Sequence, residues 1–163
     1  MKIAYGNSRY TKKWSNKEIT FGDLCNRCRP PLRTAETVEE YKKMSKAQRD
    51  DIKDRGGFVL GHLKDGVRKA NTVACRSAIT LDADNADVVF LKRYESSSPH
   101  HTILYSTHGH TPESPRYRLI IMASRDMSAE EYAAVSRLVA NEIGMDYFDD
   151  CSATCSLIEK IGA

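Results

Sequence analysis

The stretch Ser77-Ala-Ile-Thr-Leu-Asp-Ala-Asp84 is a short apolar run that ends in two aspartates one residue apart. Side chains alternate between the two faces of a strand, so Asp82 and Asp84 are expected side by side at a strand end. Two adjacent carboxylates repel each other unless a cation lies between them, and Mg²⁺ or Mn²⁺ prefers carboxylate oxygens. The pattern therefore predicts metal-dependent phosphoryl or nucleotidyl transfer. The alternative is that Asp84 or Asn85 merely caps a following helix.

The composition is typical of one globular domain, with 163 residues, 40% of them hydrophobic and 29% charged. A net charge of +3 permits nucleic-acid binding but does not argue for it alone. No segment is apolar and long enough to cross a membrane, and the N-terminus lacks a signal peptide, so a cytoplasmic location is expected. Several basic residues could form a rim that contacts phosphates, namely Lys2, Arg9, Lys12, Lys13, Lys17, Arg68 and Lys69.

The five cysteines are an odd number, which argues against a full disulfide framework. Cys25 and Cys28 form one close pair, and Cys151 and Cys155 form another. Four thiolates would hold a structural zinc ion if the two pairs met in space. Neither pair has the flanking residues of a zinc knuckle, so unpaired thiols are the favoured interpretation.

Hydrophobic periodicity and turn signals predict short strands with helices between them. Strands are expected at residues 2–7, 58–60, 73–75, 77–82, 101–106, 117–122 and 145–148, and helices at 21–28, within 36–54, at 86–94 and from a Ser128 cap to residue 143. This order favours an α+β fold with helices on one face of a largely antiparallel sheet. We expect a single domain over residues 1–163, with an N-terminal part (1–57), a motif-bearing core (58–150) and a divergent tail (151–163).

Three further groups of residues could take part in the same chemistry. His108, in the loop after the strand at residues 101–106, is suited to contact a triphosphate or to transfer a proton. Arg116 and Arg118 share one face of the next strand and would present two guanidinium groups to phosphate oxygens. Asp149 and Asp150 end a short apolar segment, and a third carboxylate would complete a two-metal site.

Together these residues resemble the archaeo-eukaryotic primase superfamily. Its members carry a strand that ends in Asp-x-Asp, then a small-x-His motif after the next strand, then a later acidic residue. Leu81-Asp-Ala-Asp84 is similar to the first motif and Ser106-Thr-His108 to the second, and Asp149, with Asp150 as the alternative, is similar to the third. The run from Tyr105 to Ile120 is similar over its whole length to the primase domains that begin primase–helicase proteins of phages and prophages.

The resemblance implies a primase–polymerase core with an RRM-like sheet. Asp82, Asp84 and Asp149 would hold two Mg²⁺ or Mn²⁺ ions, His108 would contact the incoming nucleoside triphosphate, and Arg116 and Arg118 would offset phosphate charge. The implied partners are a nucleic-acid template and nucleoside triphosphates, and a helicase in relatives where one follows. Residues 151–163 do not resemble the family beyond its third motif, which suggests a C-terminally truncated protein of a mobile element.

Three functions remain open at this point. The first is a DNA-dependent primase or polymerase with an RNA or DNA product. The second is a catalytically weak or inactive relative that binds nucleic acid or a host protein, for example as an inhibitor of a defence nuclease. The third is a rolling-circle nuclease that uses His108, His110 and a Tyr132 nucleophile, which is disfavoured because Gly109 replaces the usual hydrophobic residue and no lysine follows Tyr132 at helical spacing.

Overall fold

The computed structural model describes residues 1–148 and 159–160, and these residues form strands and helices in a mixed order. In chain order they are β1 (Lys2–Gly6), β2 (Ser15–Glu18), α1 (Phe21–Cys28), α2 (Val38–Lys43), α3 (Lys46–Ile52), β3 (Gly57–Val59), β4 (Gly61–Leu63), β5 (Val73–Ala83), α4 (Phe90–Ser97), β6 (Thr102–Ser106), β7 (Tyr117–Met127), α5 (Ala129–Ile143) and β8 (Glu159–Lys160). Short 3₁₀ turns lie at Lys64–Gly66, Ala70–Thr72 and Met145–Tyr147.

The described strands form two four-stranded sheets, and every pairing in them is antiparallel. The first sheet has the order β2-β1-β3-β8, and the second has the order β4-β5-β7-β6. The long strands β5 and β7 are central to the second sheet, with Thr80 opposite Ile120 and Asp82 opposite Arg118. The predicted α+β class with antiparallel strands is confirmed, but the strands are divided between two sheets.

The second sheet carries an apolar core on each of its faces. On one face, Leu81 and Leu119 pack with Phe90 of α4 and Tyr132 of α5. On the other face, side chains of β5, β6 and β7 pack against the first sheet and α1, in a cluster that contains Ile3, Leu24, Phe58, Leu60, Ala78, Ile103 and Ile120. Strand alternation puts Asp82 on the same face as Ala78, at the edge of the core between the two sheets.

The chain passes from the first sheet to the second at Leu60, the residue between β3 and β4. Leu60 is fully buried, and its carbonyl accepts a hydrogen bond of 2.8 Å from the backbone N–H of Ser77. Gly61, the next residue, lies directly against β5, where an added Cβ would be 1.9 Å from the carbonyl oxygen of Cys75. The sheet-to-sheet connection therefore requires glycine at this position.

The substitution Gly61→Ala is expected to lower the free energy of unfolding by at least about 2 kcal/mol, because the backbone of β5 must move to admit the methyl group. Urea unfolding followed by circular dichroism measures this change. Gly22→Ala is the matched control, since the nearest atom to a Cβ there is 3.7 Å away and alanine favours the helix. Equal stability of the two variants would contradict the close approach.

The starts of α1 and α5 agree with the prediction because their caps are local. Thr20 and Ser128 begin α1 and α5 with reciprocal capping boxes, in which Asp23 and Glu131 bond back to the cap backbone. The helical segment predicted within residues 36–54 is two helices, because Met44 is extended and Ser45 caps α3.

Several other elements differ from prediction, and the strands predicted at 73–75 and 77–82 form one strand, β5. α4 begins at Phe90 rather than at residue 86, and β7 continues to Met127 rather than ending at residue 122. Residues 145–148 were predicted as a strand, but a 3₁₀ turn over Met145–Tyr147 precedes extended Phe148. Tyr147 and Phe148 are both buried, and either conformation can bury such a pair, so the apolar pattern alone could not distinguish a strand from a turn.

None of the helices in the described part of the chain is both long and apolar enough to span a bilayer. Among the described cysteines, Cys25, Cys28 and Cys75 form no disulfide. The zinc alternative also needs Cys151 and Cys155, which lie outside the described residues. It is therefore untested.

Candidate active site

A cavity of about 780 Å³ opens at the end of the second sheet where β5 and β6 finish and β7 begins. The carboxylates Asp82 and Asp84 line it, together with the loop after β6 and the arginines at the start of β7. The segment between α1 and α2, and side chains of α2 and α3, form its other wall. We call this space the polar cavity.

Asp82 and Arg118 form a double hydrogen-bonded ion pair across the β5–β7 ladder. Arg118 donates from Nε to Oδ1 at 2.5 Å and from Nη2 to Oδ2 at 2.8 Å. The Arg118 side chain is 10% exposed and that of Asp82 is 19% exposed, so solvent screens the pair weakly. The planar guanidinium matches a carboxylate in this geometry, and it holds the Asp82 side chain in one orientation.

Asp84 lies one residue beyond β5 and is more open than Asp82. Its Oδ2 is 3.7 Å from Nη1 of Arg116, and both side chains are about two-fifths exposed, at 40% and 43%. A pair this exposed contributes little to stability. Asp84 therefore has oxygen positions that face solvent and can accept a ligand.

The two carboxylates fit a hard divalent cation. Both line one cavity, with Asp82 on β5 and Asp84 one residue beyond it, and their oxygens are the donors that Mg²⁺ and Mn²⁺ prefer. Each carboxylate oxygen has two lone pairs, so the contact with Arg118 leaves Asp82 able to bind a cation as well. Within residues 1–148 and 159–160, no group of three or more His, Cys, Asp or Glu comes together. A complete ligand set therefore needs substrate oxygens, water or a further acid.

His108 reaches the polar cavity from the loop after β6 and is held there by the segment before α2. Its Nε2 lies 3.3 Å from Oε1 of Glu36, and its ring packs edge-on against Tyr41 with centroids 4.5 Å apart. The hydroxyl of Thr34 donates to the same oxygen of Glu36 at 2.5 Å. That hydrogen bond holds the pKa of Glu36 below its ordinary value against the opposing effect of burial, and His108 acts in the same direction.

The lining of the polar cavity is rich in positive charge. Three acidic side chains line it, Glu36, Asp82 and Asp84. Six cationic side chains line it as well, namely Arg33, Lys42, Arg49, Lys53, Arg116 and Arg118. A concave surface with this balance attracts polyanions such as a triphosphate. None of the seven basic residues predicted as a phosphate rim lines this cavity, and two of them form ion pairs elsewhere, Lys2 with Asp126 at 2.7 Å and Arg9 with Asp51 at 2.6 Å.

The structure thus brings together five of the six predicted site residues, Asp82, Asp84, His108, Arg116 and Arg118. The sixth, Asp149, and its alternative Asp150 lie outside the described residues. The rolling-circle arrangement is excluded because Tyr132 is fully buried in the core on the opposite face of the sheet from Asp82, where its hydroxyl accepts a hydrogen bond of 2.9 Å from Arg76. His110 is occupied by the backbone N–H of Arg116, which donates to its Nδ1 at 3.1 Å.

Sequence reasoning missed the wall that α2 and α3 contribute. The sequence predicts only helix for the polar segment that contains Glu36, Tyr41 and Arg49. Nothing local in this segment indicates that Glu36 contacts His108, which lies 72 residues later in the chain. The one available signal is the concentration of basic residues between Arg33 and Lys53.

The fold is that of archaeo-eukaryotic primase–polymerases. It matches the archaeo-eukaryotic primase domain of the primase–polymerase of cyanophage S-2L with a TM-score of 0.52, over 98% of this chain and 72% of that chain. The identity is 11%, so this likeness concerns the fold alone. Residues 1–156 match the family described as the VapE N-terminal domain, and the chain belongs to that family. No curated protein matches the chain.

Proposed function

We propose that the protein catalyses template-directed nucleotidyl transfer with divalent cations held at Asp82 and Asp84. The observation that supports this most strongly is the convergence of these carboxylates, His108 and two arginines in one cation-rich cavity. They come from β5, from the loop after β6 and from β7, so only the tertiary fold brings them together. The fold also agrees, because it is that of archaeo-eukaryotic primase–polymerases, the superfamily that the sequence motifs resemble.

Asp82 and Asp84 are proposed to bind the cation, and Asp149 is proposed as the further acid on the basis of the sequence resemblance alone. When bound, Mg²⁺ or Mn²⁺ would lower the pKa of a primer 3′-hydroxyl and offset the charge of the triphosphate. Arg118 fixes the orientation of Asp82, so this carboxylate needs little reorganisation on binding.

His108 is proposed to contact the triphosphate. Nε2 lies 3.3 Å from Oε1 of Glu36 and Tyr41 packs against the ring, so these two contacts orient the imidazole, and Nδ1 is proposed as the nitrogen that contacts a phosphate oxygen. Arg116, two-fifths exposed beside Asp84, is placed to offset the negative charge that develops as the phosphoryl group is transferred. Glu36 contacts His108 rather than the triphosphate, so its proposed role is that of a positioning residue.

Incorporation of a labelled nucleotide into a primed single-stranded template tests the proposal. We expect incorporation that requires the template, the nucleoside triphosphate and Mg²⁺ or Mn²⁺ together, and that stops in EDTA or in the Asp82→Ala variant. Undiminished incorporation by Asp82→Ala would overturn the assignment. Binding of the template without incorporation under any condition would instead support the alternative of a binding protein with no catalysis.

The substitution Glu36→Gln is expected to raise the KM for the nucleoside triphosphate about tenfold, because a neutral amide holds the His108 ring less firmly than a carboxylate does. The kcat and the melting temperature should change little. Glu39→Gln, on the exposed face of α2, is the matched control. A loss of kcat with no change in KM would contradict a positioning role.

A further inference from the structure

A second cavity, of about 640 Å³, lies between the first sheet and the end of α1, and it is mostly apolar. Its walls include the aliphatic side chains of Ile3 and Leu24 and the ring of Phe58. Two half-buried tyrosines, Tyr5 on β1 and Tyr105 on β6, also line it. The space is thus bounded by aromatic and aliphatic surface, which suits a flat apolar ring.

This second cavity adjoins the polar cavity. Pro31, Leu32 and Ser106 line both. The strand register gives the same result, since Arg118 lies opposite Asp82 on one side and opposite Tyr105 on the other. Neighbouring strands are about 4.8 Å apart, so Tyr105 lies two strands, about 10 Å, from the carboxylate that would bind the cation.

The charge around the second cavity is of one sign. Among its described lining residues the charged ones are Arg27 and Arg29, both exposed. The ring of Tyr5 lies under two cations, with Nζ of Lys17 at 5.2 Å and Cζ of Arg27 at 5.9 Å from its centroid. An occupant should therefore combine a flat apolar group with an adjacent negative charge.

We propose that the second cavity is a base pocket, which seats an unpaired nucleobase of a single-stranded nucleic acid against Tyr5 and Tyr105 with the neighbouring phosphates on Arg27 and Arg29. Aromatic platforms beside cationic grooves bind single strands in this way with little sequence preference. The inference rests on the proposed function, because it places the strand beside the cavity where the triphosphate would bind. An apolar peptide would contact the same walls but would place no negative charge beside Arg27 and Arg29.

Binding of short fluorescent strands tests the base pocket. Fluorescence anisotropy is measured in EDTA and without nucleoside triphosphate, for an oligothymidylate and for an abasic strand of the same length. We expect Tyr5→Leu to weaken binding of the oligothymidylate about tenfold and to leave binding of the abasic strand unchanged. Tyr5→Phe should bind as the wild type does, since it keeps the ring. Tyr10→Leu is the matched control, because Tyr10 is 71% exposed and lies outside the cavity.

The arginines should act on the phosphates rather than on the bases. Arg29→Gln is expected to weaken binding of both strands and to lower the slope of log affinity against log salt by about 0.7, the value for one phosphate contact in a single strand. Arg137→Gln, exposed on α5, should leave the slope unchanged. An unchanged slope in Arg29→Gln would argue against phosphate contact at this rim.

Photo-crosslinking gives a result that does not depend on the folding of any variant. A strand that contains 5-iodouracil should crosslink the wild-type protein at Tyr5 or Tyr105, located by mass spectrometry. Crosslinks confined to residues outside the second cavity, or equal wild-type affinity for abasic and base-bearing strands, would overturn the proposal. None of these measurements needs catalysis. The base pocket and nucleotidyl transfer can therefore fail independently, and the two failures give different results.

Discussion

The variant Asp84→Asn is expected to incorporate nucleotide roughly a thousand times more slowly than the wild type. A neutral amide is a poor ligand for Mg²⁺ or Mn²⁺, and the lost stabilisation of transition-state charge amounts to several kcal/mol, or about a thousandfold in rate. Asp84 is 40% exposed and its contact with the Arg116 side chain is 3.7 Å long, so the fold should tolerate the substitution. Single-turnover incorporation at saturating triphosphate measures the effect on chemistry directly.

Asp65→Asn is the matched control for this variant. Asp65 is exposed in the turn between β4 and β5, where asparagine tolerates its positive φ of 53°. It should incorporate nucleotide as the wild type does. If Asp84→Asn retained more than about a tenth of the wild-type rate and the same response to Mg²⁺ concentration, Asp84 would not be a ligand.

The variant Arg118→Met is expected to lose about 3 kcal/mol of unfolding free energy, because it leaves the mostly buried Asp82 carboxylate without its paired cation. Methionine fills most of the volume of the arginine stem, so the loss is electrostatic rather than a packing defect. Urea unfolding measures it, and the variant should also incorporate nucleotide poorly, since Asp82 is no longer oriented.

A double-mutant cycle with Asp82→Asn separates the ion pair from other effects of the two substitutions. We expect the double variant to lose less unfolding free energy than the two single variants lose together. The difference, which is the coupling free energy, should be about 2 kcal/mol. Additive losses would mean that the hydrogen-bonded contact between Arg118 and Asp82 contributes nothing to stability.

Much of the fold could be predicted because its signals are local. The apolar runs within β5 and β7 indicate strands, and the caps at Thr20 and Ser128 fix the starts of α1 and α5. β2 could not be predicted, since its four residues, Ser15–Glu18, are all exposed and have no apolar alternation. It is held by pairing with β1, which is a tertiary contact.

The candidate site divides in the same way. The i, i+2 spacing of Asp82 and Asp84 and of Arg116 and Arg118 was enough to predict that each pair lies together, and both pairs line the polar cavity, although Asp84 and Arg116 lie one residue outside β5 and β7. The register places Asp82 opposite Arg118. The partner of His108 was not predictable, because Glu36 approaches it only after α2 folds across the loop. The division into two sheets depends on the switch at Leu60 and Gly61, for which the sequence offers only one glycine as a signal.

The central claim is that Asp82 and Asp84 together hold a divalent cation beside a bound triphosphate. Anomalous diffraction from crystals soaked with Mn²⁺ and a non-hydrolysable nucleoside triphosphate tests it most directly. We predict an anomalous peak within about 2.5 Å of an oxygen of each carboxylate, with the triphosphate against His108 and Arg116. A triphosphate bound elsewhere, or a metal peak that touches neither aspartate, would contradict the claim.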